Sequence, residues 1–209
     1  MRGRTENSMK MYIMRHGETD WNKVFRLQGR SDIPLNETGR RMAENAARGL
    51  RDVPFTRIYS SPLIRAYETA SIVRGDRDIP IITDERIIEI SFGANEGQKY
   101  DKTKPGDYPE LAKFFREPDI YVPAEGGEAI SELNARTADF IRFLADTYGN
   151  SDELILVTTH GAAIRGILSY VKGTAIRDFW KGGVQSNCGV TIMEVIDGSI
   201  NIVSENVTF

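Results

Sequence analysis

The sequence predicts an α/β fold, a three-layer α/β/α sandwich on a mostly parallel mixed sheet, and three observations carry that expectation. Short apolar runs alternate with longer stretches of helical spacing, the pattern of strands joined by crossover helices. The C-terminal segment CGVTIMEVIDGSINIVSENV breaks the alternation. It holds two β-rich runs about Asp197-Gly198, a strong hairpin signal, so an antiparallel hairpin is expected to close the sheet. A length of 209 residues suits one domain of this class, and no internal repeat or low-complexity tract calls for a second.

Residues 1–8, MRGRTENS, are polar and without periodicity, and read as a disordered leader or cloning remnant. The single domain is expected to run over 9–209. Its strands are read at MYIM (11–14), RIYS (57–60), IPII (79–82) and ELILVTT (153–159). Helical stretches cover roughly 36–51, 62–74, 128–148 and 161–171. Asn36 offers an N-cap to the first, Pro62 suits the opening turn of the second, and Gly149 follows the last apolar turn of the third. Residues 97–125, with four prolines among charges and aromatics, form the least regular stretch. They are expected to make a partly helical excursion over the ligand-binding end of the sheet and to govern substrate choice.

Composition excludes more than it names. The apolar fraction of 40% and charged fraction of 27% are those of an ordinary soluble globular protein. A net charge of −3 argues against broad nucleic-acid binding, which needs a basic face, so any phosphate bound is expected to be small. No apolar run approaches the ~18 residues of a membrane span. The one cysteine, Cys188, has no intramolecular disulfide partner, fits a reducing compartment and is read as a buried, inert thiol in a cytoplasmic protein.

The chain has two histidines, His16 and His160, and each follows an expected strand and precedes a glycine. In a mostly parallel sheet the carboxyl ends of the strands share one edge, where loops and helix N-termini build the ligand crevice. A lone histidine is more often a hydrogen-bonded structural residue than a reactive one. Two in the same context are expected to face one pocket.

The first of them stands in Arg15-His16-Gly17-Glu18-Thr19, followed by Asn22, and this stretch resembles the RHG signature of the histidine phosphatase superfamily. Further segments resemble that family in its own order. They are the loop from Arg26 to Asn36, Ser60-Ser61-Pro62-Leu63-Ile64-Arg65-Ala66-Tyr67-Glu68-Thr69-Ala70, the run from Asp84 through Glu89 to Gly97, Thr159-His160-Gly161, and Asn187 to Thr191. Together they span residues 10 to about 195. The resemblance implies phosphomonoester hydrolysis through a covalent phosphohistidine on His16, with Glu89 as general acid and no metal or other cofactor. Arg15, Arg65 and His160 would surround the phosphoryl group, and Thr19, Asn22, Gln28, Gly29 and Gly161 would add substrate contacts.

The chemistry explains those residue types. Phosphoryl transfer depends on positioning and on stabilising charge spread over the equatorial oxygens, which asks for fixed cations around one nucleophile. Arginine gives bidentate bonds to phosphate oxygens and keeps its charge. Guanidinium charge also disfavours protonated His16, preserving a lone pair for attack. The leaving alkoxide needs a proton, and a phosphate dianion nearby would keep Glu89 neutral to give it. Glu85 and Glu96 are the competing carboxylates. Asn22 could equally cap a local turn, and Gln28 could order its loop.

The sequence departs from the family in one place: many members carry tryptophan before the Glu-Gly of the FGxxEG turn, where this chain has Asn95. Segment 97–125 is short and lacks the Arg-Arg pair of the family's glycolytic mutases, which favours hydrolysis over cofactor-dependent mutase activity. Lys99, Lys102, Lys104, Lys113 and Arg116 still leave some basic charge there. A non-catalytic phospholigand-binding module is a third reading, opposed by the presence of His16 and Glu89. A metallohydrolase has no HExxH, CxxC or dense Asp/His cluster behind it. The expected partner is a small phosphorylated metabolite, with neither nucleic acid nor membrane, and the oligomeric state, dimer included, stays open.

Overall fold

The computed structural model describes residues 8–100 and 109–209. Six strands, β1 (Met9–Arg15), β2 (Arg57–Ser60), β3 (Ile81–Thr83), β4 (Leu154–Thr159), β5 (Val190–Ile196) and β6 (Ser199–Val207), form one sheet in the order β3-β2-β4-β1-β5-β6. The pairs β1–β4, β2–β4 and β2–β3 are parallel, whereas β5 runs antiparallel to both β1 and β6. The mixed, mostly parallel sheet read from the sequence is therefore the one that forms.

Its helices are α1 (Asp20–Lys23), α2 (Glu37–Gly49), α3 (Ile64–Arg74), α4 (Pro109–Arg116), α5 (Ile130–Tyr148) and α6 (Gly161–Lys172). Side chains alternate across a strand, and that alternation splits the core into two layers. Met9, Met11 and Ile13 of β1, with Ile155 and Val157 of β4, pack with Phe140, Leu144, Ile164 and Ile167 of α5 and α6. Met14 and Leu156 point the other way and meet Ala43, Ala46, Ala70 and Val73 of α2 and α3. Each fully buried side chain of this size contributes roughly 1.5–3 kcal/mol, so the sheet is held rigidly from both faces. A third cluster, Leu27, Ile90, Phe92, Leu111, Phe114, Tyr121 and Phe179, lies apart from these layers and joins the excursion to the start of α6 through Ala162 and Ala163.

Asn36 caps α2 as expected, its Oδ1 accepting from Gly39 N at 2.8 Å. Asp197 and Gly198 both have positive φ, 49° and 73°, as a two-residue type I′ turn requires. Several boundaries differ from the sequence reading, β1 reaching from Met9 to Arg15 and α2 ending at Gly49, and three more have local causes. β3 begins at Ile81, because Pro80 has no N–H to give the ladder. α3 begins at Ile64 rather than 62, and Asp32 Oδ1 accepts its first amide at 2.7 Å. α5 begins at Ile130, after an extended Ala129 whose amide donates to Glu132 Oε2 at 2.8 Å. The excursion is partly helical, through α4, and Trp180 Nε1 donates to Phe114 O at 2.6 Å to fasten it down. The leader through Asn7, together with Lys102, Lys104 and Pro105, lies outside the described residues.

Candidate active site

The two histidines step off neighbouring strands. Arg15 and Thr159 are the paired last residues of β1 and β4, and His16 N donates to Thr159 O at 2.9 Å. The rings of His16 and His160 consequently stand 5.1 Å apart, centroid to centroid, tilted by 56°. Both are buried. Ser61, the residue after β2, places its Oγ 2.7 Å from His160 Nε2, and the segment after β3 carries Glu89. All four parallel strands thus deliver a polar group to their shared carboxyl edge.

His16 Nδ1 lies 2.7 Å from Gly17 O. A carbonyl only accepts, so Nδ1 carries the proton and Nε2 presents the lone pair. Burial first, then the charges of Arg65 and Arg15, push the His16 pKa well below the usual histidine value. The same causes hold His160 down, with burial again the largest. The backbone of the His16 loop is pinned as well: Asn187 Nδ2 donates to His16 O at 2.9 Å, and Gly17 N donates to Thr69 Oγ1 at 3.0 Å. Gly17 rests directly on α2. A Cβ at Gly17 would stand 2.5 Å from Gly39 O, and one at Gly39 would stand 2.1 Å from Glu18 O, so neither position accommodates a side chain.

Arg65 is fully buried, giving Nη1 to Ser31 O at 2.8 Å and Nη2 to Gly29 O at 2.7 Å. Arg15 gives Nη1 to Gln185 O at 2.7 Å. Burial lowers the Arg65 pKa to about 10, against an opposing pull from Glu89, and also lowers Arg15. Arg65 remains cationic at neutral pH. The buried atoms Arg15 Nε, Arg65 Nε and His160 Nδ1 have no hydrogen-bond partner among the described residues. An unmade buried donor costs about 1–3 kcal/mol. All three belong to residues whose charge or ring lies beside His16.

Glu89 lies across the N-terminus of α6, its carboxylate accepting from Ala162 N at 3.2 Å and Ala163 N at 3.1 Å. Glu96, a competing candidate, is used up within the fold. It accepts from Arg30 N and Ser31 N, both at 2.8 Å, from Ser31 Oγ at 2.6 Å and from Phe92 N at 3.2 Å, so it shapes the 28–31 loop. Glu85 is exposed at the head of a short 3₁₀ turn. Thr19, Asn22 and Gln28 bond to one another: Thr19 N donates to Asn22 Oδ1 at 3.1 Å and Thr19 Oγ1 to Gln28 Oε1 at 3.0 Å. Asn22 thus forms a capping box for α1, and Gln28 orders its loop. Gly29 lends its carbonyl to Arg65 from a positive φ of 53°, and Gly161 packs beside the Arg15 guanidinium. Sequence reasoning missed Ser61, Thr69, Asn187 and Gly39 as supports of the site. The first three stood inside motifs already noted but had partners far along the chain.

Cys188 is buried, which pushes its thiol up to about 12, as expected of an inert group. Among the described residues no group of three or more His, Cys, Asp or Glu side chains is placed to hold a metal ion. No described helix is long and apolar enough to cross a membrane.

The family model of the histidine phosphatase superfamily (branch 1) matches residues 11–208. The chain belongs to the histidine phosphatase superfamily. This histidine phosphatase is 28% identical over 200 residues to phosphoserine phosphatase 1 of Hydrogenobacter thermophilus, a match covering 96% of this chain and 93% of that one. Its fold superposes on Bacillus stearothermophilus YhfR with a TM-score of 0.88 at 34% identity, covering 96% of this chain and 98% of the other. It also superposes on the phosphoserine phosphatase of Entamoeba histolytica, solved in complex with 3-phosphoglyceric acid. There the TM-score is 0.82 at 29% identity, covering 96% and 98% of the two chains. Two of these relatives are phosphoserine phosphatases by name, and the phosphohistidine mechanism is general to the superfamily to which the chain belongs.

Proposed function

We propose that His16 is the nucleophile of this histidine phosphatase, that Arg15, Arg65 and His160 bind the transferring phosphoryl group, and that Glu89 is the proton donor. The observation that carries this reading is the set of buried, unpartnered nitrogens, Arg15 Nε, Arg65 Nε and His160 Nδ1, around a neutral imidazole whose Nε2 presents a lone pair. With Ser61 Oγ–H donating to His160 Nε2, the proton of that ring sits on Nδ1 and is available to a phosphate oxygen.

In the first step His16 Nε2 forms the N–P bond while the ester P–O bond breaks, and the departing alkoxide takes the proton of Glu89. In the second, water attacks phosphorus, the N–P bond breaks, Glu89 takes back a proton and inorganic phosphate leaves. The fixed cations serve both steps, since charge spreads over the equatorial oxygens in each. Thr19, Asn22, Gln28, Gly29 and Gly161 shape the rim that the rest of the substrate meets.

The substrate class we favour is a small phosphomonoester that also carries a carboxylate, supported by the relatives named for phosphoserine and solved with 3-phosphoglyceric acid. Mutase activity is the weaker alternative, because it requires a bisphosphorylated intermediate to be retained and turned over in an enclosed, strongly basic pocket, and the described part of the excursion brings no adjacent pair of arginines to build one. We place the catalytic unit in a single domain over 9–209 and, from the lone buried thiol, in a reducing cytoplasm.

The test incubates wild-type protein and His16→Ala with p-nitrophenyl phosphate and with 3-phosphoglycerate in excess chelator, following phosphate and 2-phosphoglycerate separately. Phosphate release by the wild type alone is expected, undiminished by the chelator. Appearance of 2-phosphoglycerate without phosphate would overturn hydrolysis in favour of mutase chemistry, and undiminished turnover by His16→Ala would overturn the assignment of the nucleophile.

A further inference from the structure

The segment that carries Glu89 has little regular structure of its own, being one 3₁₀ turn, Glu85–Ile87, followed by extended chain. A general acid must nevertheless be fixed within a fraction of an ångström of the leaving oxygen. Four consecutive carbonyls of this segment each accept a hydrogen bond from a side chain elsewhere in the fold. Arg136 Nη1 donates to Arg86 O at 2.9 Å and to Ile88 O at 2.6 Å. Thr159 Oγ1 donates to Ile87 O at 2.6 Å, and Arg30 Nε donates to Glu89 O at 3.3 Å.

The two arginines share one carboxylate. Glu128 is buried and takes Arg136 in a bidentate pair, Nε to Oε1 at 2.7 Å and Nη2 to Oε2 at 2.8 Å. Arg30 Nη2 stands 3.2 Å from the same Oε2. Such a fork fixes the plane of the guanidinium and therefore the direction in which Nη1 points. Glu128 is itself anchored by its amide to Ser91 O at 2.9 Å, on the far side of the donor segment. The carboxylate of Glu89 is held from the opposite direction by the α6 amides. A buried ion pair of this kind seldom repays its desolvation as net stability, so positional specificity is a better account of its presence than folding energy.

We propose that Glu128 and Arg136, with Arg30 as the outer member, form a clamp that positions Glu89 for proton delivery. They are positioning residues. They act on the one step in which Glu89 gives a proton to the leaving oxygen, and no hydrogen bond among the described residues joins their side chains to His16 or the phosphoryl cradle, which only the charge of Arg136 reaches, at His160. The inference rests on the proposed role of Glu89.

Leaving-group dependence separates this role from a merely structural one. p-Nitrophenolate departs without a proton, whereas an alkoxide such as that of phosphoserine or 3-phosphoglycerate needs one. Arg136→Lys, Arg136→Met and Glu128→Gln are compared with wild type and Glu89→Gln as kcat/KM on p-nitrophenyl phosphate and on the two alkyl phosphates, with thermal melting to establish folding. Since general acid catalysis is worth roughly 10²–10⁴-fold, the clamp variants are expected to lose about 10–100-fold on the alkyl phosphates and less than about threefold on the aryl ester, repeating in milder form the pattern of Glu89→Gln. Glu128→Gln keeps the size and shape of the side chain, so it tests the clamp even where Arg136→Met does not fold. Equal losses on both substrate classes, or none on either, in folded clamp variants would overturn the clamp while leaving Glu89 as the acid. A Glu89→Gln protein without leaving-group discrimination would overturn the acid assignment itself, and the clamp with it.

Discussion

Gly39→Ala is the substitution in which packing, rather than loss of a reactive group, should disable the site. Gly39 lies in the first turn of α2, where Ala is worth about 1 kcal/mol more than Gly in helix propensity, so local structure alone predicts stabilisation. The tertiary contact predicts the opposite. The new Cβ would stand 2.1 Å from Glu18 O and 2.6 Å from Glu18 N, where ordinary contact begins near 3.4 Å. Both contacts are backbone, so the His16–Glu18 loop and α2 must separate by more than an ångström. The cost of such overpacking is about 1–3 kcal/mol. After the propensity gain, a net loss of at most about 2 kcal/mol remains, or up to ~8 °C in Tm at the roughly 2–4 °C per kcal/mol of a chain this long. The protein should therefore fold. Moving the nucleophile by about 1 Å can cost ~10²-fold in rate, so kcat/KM on p-nitrophenyl phosphate should fall by about two orders of magnitude with circular dichroism unchanged. A rate within threefold of wild type would refute the claim that the close approach of Gly39 to the Glu18 backbone sets the position of His16.

Two further outcomes follow from the same geometry. His16 and His160 have folded pKa values well below the unfolded ~6.5, so below that value the unfolded chain binds more protons and stability falls as pH falls. The two groups together should give a slope of up to about 2.7 kcal/mol per pH unit between pH 6.5 and 5. Urea midpoints across that window would measure it, and an unchanged slope in a His16→Asn, His160→Asn double variant would show that other groups carry it. Ser61→Ala should free the His160 ring by removing its 2.7 Å bond and lower kcat about 10–100-fold with a smaller change in KM. A loss confined to KM would mean that Ser61 only helps bind substrate.

The sheet and the histidine pair were legible in the sequence because their causes are local. A strand followed at once by His-Gly places an imidazole at a sheet edge whatever the rest of the chain does, and Asp197-Gly198 dictates its own turn. What escaped was pairwise and distant. Ser61 and His160 are 99 residues apart, Asn187 and His16 are 171 apart, and nothing in either segment marks the other as its partner. Gly39 carried no signal in the sequence, since close approach of two backbones leaves no trace in periodicity. Thr19, Asn22 and Gln28 were found as a group, and their mutual hydrogen bonds account for their side chains as much as any ligand would. The cap of Phe92, Phe114, Tyr121, Phe179 and Trp180 was hidden because its aromatics come from short pieces without a common period.

The charge balance of the site links its two halves. Arg15 and Arg65 are buried beside two histidines held neutral, and the largest attraction acting on either guanidinium is that of Glu89. In the proposed mechanism Glu89 is therefore the counter-ion of the phosphate cradle in the free enzyme, steadied by the α6 amides. A phosphate dianion takes over that duty and places a like charge beside the carboxylate, which favours the neutral, proton-bearing form. Once the alkoxide has carried the proton away, Glu89 is again an anion, able to accept the proton of the attacking water. On the proposed mechanism one carboxylate serves as acid and then as base because the cradle's counter-charge passes between it and the substrate, and this requires that Glu89 stay where it is throughout. A backbone held at four successive carbonyls meets that requirement where a free loop would not.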